Sequence, residues 1–302
     1  MVENGCLINK ICIMGRMPPP IGGVSVYCKR RIEYLRSNGV DVKELDFGDR
    51  FFLFKYLFLG NRDLEVNSLN LLIVFLVFVT GRMKSSIFID HNASRHFSGK
   101  KKKLLLFMLE KCKAVKVVNE MLTSFYPKHF EVILTSPFVP PPLVDEKTIF
   151  STYPDSLKKF IENGKLVINS AWKMVPYKNN DLYGIKTSLD LLNIIDDFKL
   201  LIVIGVYEKG MFDDKYSAII EKFENSQRLY ILKGQYDIWP LIKAQPICLR
   251  LTPTDGDSVT IREAIYFGAP VIASDAIVRP FGCHIYEYGN INSLKECVEK
   301  LL

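Results

Sequence analysis

Short apolar runs alternate with segments of helical pattern along this chain, and they fall into two series. The first series opens at 10–14 (KICIM), followed by Gly15 and the loop Pro18-Pro19-Pro20-Ile21-Gly22-Gly23. A helix is expected from about Ser25 to Ser37, with Gly39 closing it, so that strand, glycine loop and helix make the first unit of a doubly wound domain. Further strands are expected at Ser86–Asp90, 114–118 and Val132–Leu134, with helical pattern over 102–112 and 121–125.

Pro137, Pro140, Pro141 and Pro142 cannot sit in a helix interior or a central strand, so a domain boundary is expected there, between 1–145 and 146–302. The second series runs helix 154–163, strand 166–170, helix 181–195, strand 200–204, helix 214–224, strand 230–232, a short helix near Pro240, and strand 247–251. Ser293-x-x-Glu296 is expected to open a last helix. Short strands separated by helices predict a parallel sheet covered on both faces.

Two stretches break the alternation by being apolar throughout: 51–59 (FFLFKYLFL) and 69–79 (LNLLIVFLVFV). Both fall short of the roughly 20 residues that cross a bilayer. They are either buried helices or surfaces that dip into a membrane interface. Lys100, Lys101, Lys102 and Lys103 open the helical segment that follows. They make either a solvated face or an attraction for anionic lipid.

With 302 residues, 48% of them apolar, the chain can bury two cores. A net charge of +7 suits phosphate-bearing ligands or an anionic membrane surface. No basic stripe with interleaved aromatics or zinc-finger spacing is present, which argues against nucleic acid as a partner. Seven scattered cysteines without a C-x-x-C pair predict reduced thiols in a cytoplasmic protein. The histidines form no metal set, since His91 and His96 are five apart while His129 and His284 stand alone. The N-terminus shows no signal-peptide pattern.

The most informative stretch is 254–275, TDGDSVTIREAIYFGAPVIASD. It predicts a loop (Asp255-Gly256-Asp257-Ser258), a helix over 260–267, a Gly-Ala-Pro turn and a strand at 271–273. Backbone N–H groups and the positive end of a helix dipole then lie beyond a strand end, where anions bind. Thr260-x-x-Glu263 also fits a capping box, which needs no ligand. Asp255 and Glu263 can instead face one pocket from two heights, an arrangement suited to a polyhydroxylated ligand.

These residues resemble the carboxylate-x7-Glu signature of the family-4 retaining glycosyltransferases. The chain has Asp255-x7-Glu263-Ala264, then Gly268-Ala269-Pro270-Val271-Ile272-Ala273-Ser274-Asp275 and Arg279-Pro280, a variant similar to that of enzymes building bacterial capsular or exopolysaccharide. The family usually carries Glu where Asp255 stands. The resemblance implies an α/β protein of GT-B type, with two Rossmann-like doubly wound domains and an interdomain cleft. The first domain would be acceptor-side and the second would bind the nucleotide sugar.

By the same resemblance, Asp255, His91 and Lys178 are the expected catalytic residues, with His91 facing the donor sugar. Gly22 and Gly23 would lie beside the donor diphosphate, and Lys173 and Lys178 would grip it, although Trp172 stands at the spacing of the family's arginine. Lys233 lies in the loop that would meet the base. Amides of Gly256, Asp257 and Ser258 would reach the sugar or phosphate, Glu263 the ribose hydroxyls, and Arg279 a phosphate or the acceptor. The implied reaction moves a sugar from a nucleotide-diphosphate donor to a saccharide or lipid-linked saccharide with retention, the donor phosphate itself deprotonating the acceptor. No cofactor or metal is expected. Family members usually continue into a helix crossing back to the first domain, whereas this sequence ends after its last helix. Two further readings are a non-catalytic GT-B scaffold partnering a membrane transferase and a nucleotide-sugar epimerase.

Overall fold

The computed structural model describes residues 10–178, 180–255 and 257–302. The chain divides into two compact units, Met1–Val139 and Pro140–Leu302, so the division falls inside the proline cluster.

Unit 1 runs β1 (Lys10–Gly15), α1 (Gly23–Ser37), β2 (Asp41–Asp46), α2 (Phe52–Leu57), β3 (Asp63–Val66), α3 (Leu71–Val79), β4 (Ser86–Asp90), α4 (Gly99–Leu109), β5 (Ala114–Val117) and β6 (Val132–Leu134). Its six strands are parallel in the order β2-β1-β3-β4-β5-β6. Side chains alternate across the sheet: Cys12 and Met14 enter one core with Phe52, Val74 and Leu105, while Ile13 enters the other with Cys28 and Ile32. Helices α2, α3 and α4 therefore cover one face and α1 the other. Right-handed crossovers require this, because β1→β2 steps one way across the sheet and the later connections step the opposite way.

Unit 2 runs α5 (Glu146–Ser151), α6 (Asp155–Ile161), β7 (Leu166–Lys173), a small hairpin of β8 (Pro176–Tyr177) and β9 (Asn180–Asp181), α7 (Ile185–Leu191), β10 (Lys199–Val206), α8 (Asp214–Asn225), β11 (Leu229–Lys233), α9 (Trp239–Lys243), β12 (Ile247–Arg250), α10 (Val259–Phe267), β13 (Val271–Ser274), β14 (Cys283–Tyr286) and α11 (Ile291–Glu299). The main sheet is parallel in the order β11-β10-β7-β12-β13-β14. Leu200, Ile202 and Ile204 of β10 face a core with Leu189, Phe223 and Leu294, whereas Leu201 and Val203 face Leu157 and Leu241.

Several local expectations are corrected. β2, β3 and β14 carry no strong apolar alternation and are held as strands by their neighbours. β7 extends to Lys173, three residues past the expected end. The cap of α10 is Ser258, whose Oγ accepts from the Ile261 N–H at 3.4 Å, so Thr260 lies inside the helix and the Thr260–Glu263 capping box does not form. Asn290, not Ser293, caps α11, accepting from the N–H groups of Asn292 and Ser293. The apolar stretches 51–59 and 69–79 do not make buried helices: Leu53, Phe54, Leu57, Leu72 and Phe75 are each more than half exposed.

Candidate functional site

Both sheets contain a point where the chain leaves its first strand in one direction and returns on that strand's other side. In unit 1 this point lies between β1 and β3, and in unit 2 between β7 and β12. The crevice outside the carboxyl ends of such strands is where open α/β sheets take ligands, because two connections diverge and leave backbone groups uncovered.

In unit 2 this position is occupied by a charged cluster around Asp255. Arg250, the last residue of β12, donates from Nε to Asp255 Oδ2 at 2.7 Å, and the Thr252 hydroxyl donates to the same oxygen at 3.3 Å. Arg279 Nη1 lies 3.6 Å from it. Among the described residues no partner reaches Oδ1. Burial by itself would push the Asp255 carboxyl upward, but the charge and hydrogen bond of Arg250, with Arg279 and Thr252, hold it below the usual carboxylate range. Asp255 is thus an ionised carboxylate with one oxygen committed.

Arg279 was expected to offer a cation to phosphate or acceptor; its guanidinium is used internally instead. Nε donates to the Ser274 carbonyl at 2.9 Å, and Nη2 donates to Ser274 Oγ at 2.7 Å and to the Thr252 carbonyl at 2.5 Å. The side chain is 3% exposed, and it ties the end of β13 to the loop after β12.

Asp257 accepts from Arg262 Nε at 2.9 and 3.0 Å, and burial raises its carboxyl against the opposing effect of that arginine. Gly256, expected to supply an amide, lies outside the described residues. Ser258 and the first turn of α10 follow. Glu263 is buried on that helix, with its charge in reach of Cys248 and Tyr153. Burial first, and Glu263 second, push the Cys248 thiol up to about 12.

The expected cations of unit 2 remain at the surface. Lys173 ends β7 and is exposed. Lys178 occupies the turn of the small hairpin at φ 51, with its ammonium 5.6 Å from the Tyr177 ring centroid. Asp181 fixes that hairpin to α7 by accepting the N–H groups of Tyr183, Ile185 and Lys186 at 2.9–3.0 Å. Lys233 ends β11, its ammonium 4.3 Å from the Tyr207 ring centroid.

In unit 1, Gly15 ends β1, and a Cβ there would lie 2.5 Å from Cys28 Sγ and 3.3 Å from Asn67 Cβ, so glycine permits the close approach of α1 and β3. Gly22 caps α1, its N–H donating to Ser25 Oγ at 2.9 Å, and Gly23 begins the helix. His91 follows β4, where Asp90 shapes the turn by accepting the N–H groups of Ala93 and Ser94 at 2.8 and 3.2 Å. The His91 imidazole meets Asn67 at the end of β3, Nε2 to Oδ1 being 2.9 Å, and its ring stands edge-on to Tyr27 at 5.1 Å. Because Oδ1 only accepts, Nε2 carries the proton and Nδ1 presents a lone pair. Burial lowers the His91 pKa to about 4, so the ring is neutral at pH 7. Asn67 Nδ2 and Ser94 Oγ are buried without a hydrogen-bond partner among the described residues.

Sequence reasoning did not single out Arg250, Thr252 or Asn67. Arg250 and Thr252 stand three to five residues before Asp255, and the abrupt charge at the end of an apolar strand was the available signal. For Asn67 there was none. No group of histidines, cysteines and carboxylates among the described residues could hold a metal ion.

No protein-family model matches the chain, and no curated protein matches it in sequence. Solved structures do match in fold. A glycosyltransferase from Rickettsia africae is 14% identical with a TM-score of 0.69, covering 97% of this chain and 88% of its own. HepE of Anabaena, in complex with UDP and glucose, is 14% identical with a TM-score of 0.67 over 97% of this chain and 89% of its own. Sucrose-phosphate synthase from Thermosynechococcus elongatus is 13% identical with a TM-score of 0.67 over 97% and 90%. The chain therefore has the α/β fold, with two parallel six-stranded sheets, of the GT-B glycosyltransferases.

Proposed function

We propose that the protein is a retaining glycosyltransferase of the family-4 type. In this reading it transfers a hexose from a nucleotide-diphosphate donor to a saccharide or lipid-linked saccharide. It serves capsule or exopolysaccharide synthesis in the cytoplasm, at the inner face of the cell membrane. One observation carries this reading: the loop holding Asp255, and α10 with Glu263 behind it, lie at the carboxyl end of β12, beside the point where the strand order reverses. The donor would be held there by unit 2, a reading supported by the UDP complex of HepE, which shares the fold.

Sugar transfer from a diphosphate demands charge stabilisation on the leaving group and orientation of the sugar more than covalent help. The amides opening α10 and the ammonium groups of Lys173 and Lys178 would meet the diphosphate charge, so no resident cofactor or metal is invoked. Glu263 would accept from the ribose hydroxyls, and the loop after Lys233 would meet the base. Asp255 would accept a sugar hydroxyl on Oδ1 while Arg250 and Arg279 hold Oδ2, which makes the two arginines positioning residues. In unit 1, the neutral His91 and the amide of Asn67 offer an acceptor and a donor of the kind sugar hydroxyls require. Deprotonation of the acceptor by the donor phosphate leaves no role for a protein nucleophile.

Uridine or guanosine diphosphate at millimolar concentration should raise the melting temperature, and Glu263→Gln should remove the rise. If neither nucleotide stabilises the protein, the donor-site assignment fails. Transfer of labelled sugar to a lipid extract, lost in Lys178→Ala, separates the enzyme from a non-catalytic scaffold. An epimerase would form product with no acceptor added.

A further inference from the structure

Helices α2, α3 and α4 share one face of the unit 1 sheet, as the common core under Phe52, Val74 and Leu105 requires. Side-chain contacts join them into one layer: Tyr56 OH and Thr80 Oγ1 are 2.6 Å apart, and the rings of Phe78 and Phe107 lie 5.9 Å apart. The outer side of this layer is unusually apolar for a surface. Leu53, Phe54, Leu72, Phe75, Leu104 and Phe107 are each at least half exposed. A scattered exposed leucine needs no explanation, but a helical layer with apolar residues outward on every member does.

The charge on the same layer decides what could cover it. The three helices contain five lysines, Lys55 and Lys100 to Lys103, and not one carboxylate. On α4, Lys100, Leu104 and Phe107 recur at helical spacing along one stripe, so cation and apolar groups point the same way. Lys100, Lys101 and Lys103 are exposed and pair with no carboxylate among the described residues. Glu110, just past the helix, is engaged by His129 at 3.3 Å. A second copy of this face would bring lysines against lysines, which opposes self-association. No helix among the described residues is long and apolar enough to cross a membrane.

We infer that the outer side of the α2–α3–α4 layer docks on an anionic lipid surface, its leucines and phenylalanines entering the interface and Lys100, Lys101 and Lys103 meeting lipid phosphates. Such a surface combines buried apolar area with attraction to anionic headgroups. The inference stands on unit 1 alone and holds whether or not unit 2 binds a nucleotide.

Co-sedimentation of the whole chain with vesicles tests it, using phosphatidylcholine alone and phosphatidylcholine mixed with phosphatidylglycerol. The wild type is expected to bind the mixed vesicles and to be weakened by added salt. Substituting Lys100→Ser, Lys101→Ser and Lys103→Ser together should weaken binding about a hundredfold, from roughly fivefold per lysine. The pair Leu72→Ser and Phe75→Ser, both at exposed positions, should weaken binding at low and high salt alike, with the melting temperature unchanged. Absence of binding to the mixed vesicles would overturn the inference. So would a concentration-dependent dimer that Phe75→Ser dissociates without altering vesicle binding, since a second copy would then cover the face. The nucleotide thermal shift is a separate readout, and either result can fail alone.

Discussion

Arg250 Nε and Asp255 Oδ2 are 2.7 Å apart, with neither side chain more than 15% exposed. The pair joins the end of β12 to the loop that leads into α10, and Arg279 adds a second guanidinium from beyond β13. Two guanidiniums on one carboxylate tie the loop to the sheet through charge.

Removing Asp255 should therefore cost stability before it costs anything else. Asp255→Ala leaves two guanidiniums without a counter-charge, and a loss of about 3–5 kcal/mol is expected in urea unfolding at pH 7. Adding Arg250→Met should recover part of that loss, because the uncompensated charge goes with it. The folded carboxyl titrates below its unfolded value, so its contribution is complete above the ordinary aspartate pKa and disappears as pH falls through the folded one. An unchanged urea midpoint in Asp255→Ala would rule out the pairing.

His91 sets a second pH window, of the same sign. Burial moves its pKa from 6.5 to about 4, so the unfolded chain takes up the proton first as the solution is acidified. Stability from this group is full above 6.5 and is lost toward 4, by up to about 1.4 kcal/mol per pH unit. His91→Gln should flatten that part of the stability profile. Asn67→Asp should move the His91 titration upward, which the ring resonances in NMR would report; a titration unmoved by Asn67→Asp would remove Asn67 as its partner.

Gly15→Ala tests the close approach at the end of β1. The new methyl meets Cys28 Sγ, and overpacking of this kind costs about 1–3 kcal/mol. Combining it with Cys28→Ala removes the opposing sulfur and should restore much of the loss in thermal unfolding. Equal melting temperatures for Gly15→Ala and the double variant would show that another contact is responsible.

Ser258→Ala removes the side-chain cap of α10 and should lower stability by about 1 kcal/mol. If α10 helps hold a nucleotide, the same substitution should reduce the nucleotide-induced rise in melting temperature. Ser258→Asp, which keeps a capping oxygen, should restore the stability.

Local pattern carried much of this protein. Apolar runs such as 10–14 and 200–204 alternate with helical segments because a strand buried on both faces must be apolar throughout, and the prolines from 137 to 142 interrupt every regular element. That was enough to expect two doubly wound halves, and the run Asp255-Gly256-Asp257-Ser258 ahead of Thr260-x-x-Glu263 was enough to mark a loop before a helix, although the cap fell on Ser258 and not on Thr260. The partners of the site residues were beyond such a reading. Asn67 meets His91 only because β3 and β4 are neighbours in the sheet, and Arg279 reaches Asp255 only because β12 and β13 pair. The apolar stretches 51–59 and 69–79 likewise look buried in one dimension, since a helix that is apolar all round bears no mark of which side will be covered. Folding assigned the sides: a single sheet face has room to bury one stripe of each helix, so Phe52 and Val74 went inward while Phe54 and Phe75 were left outside.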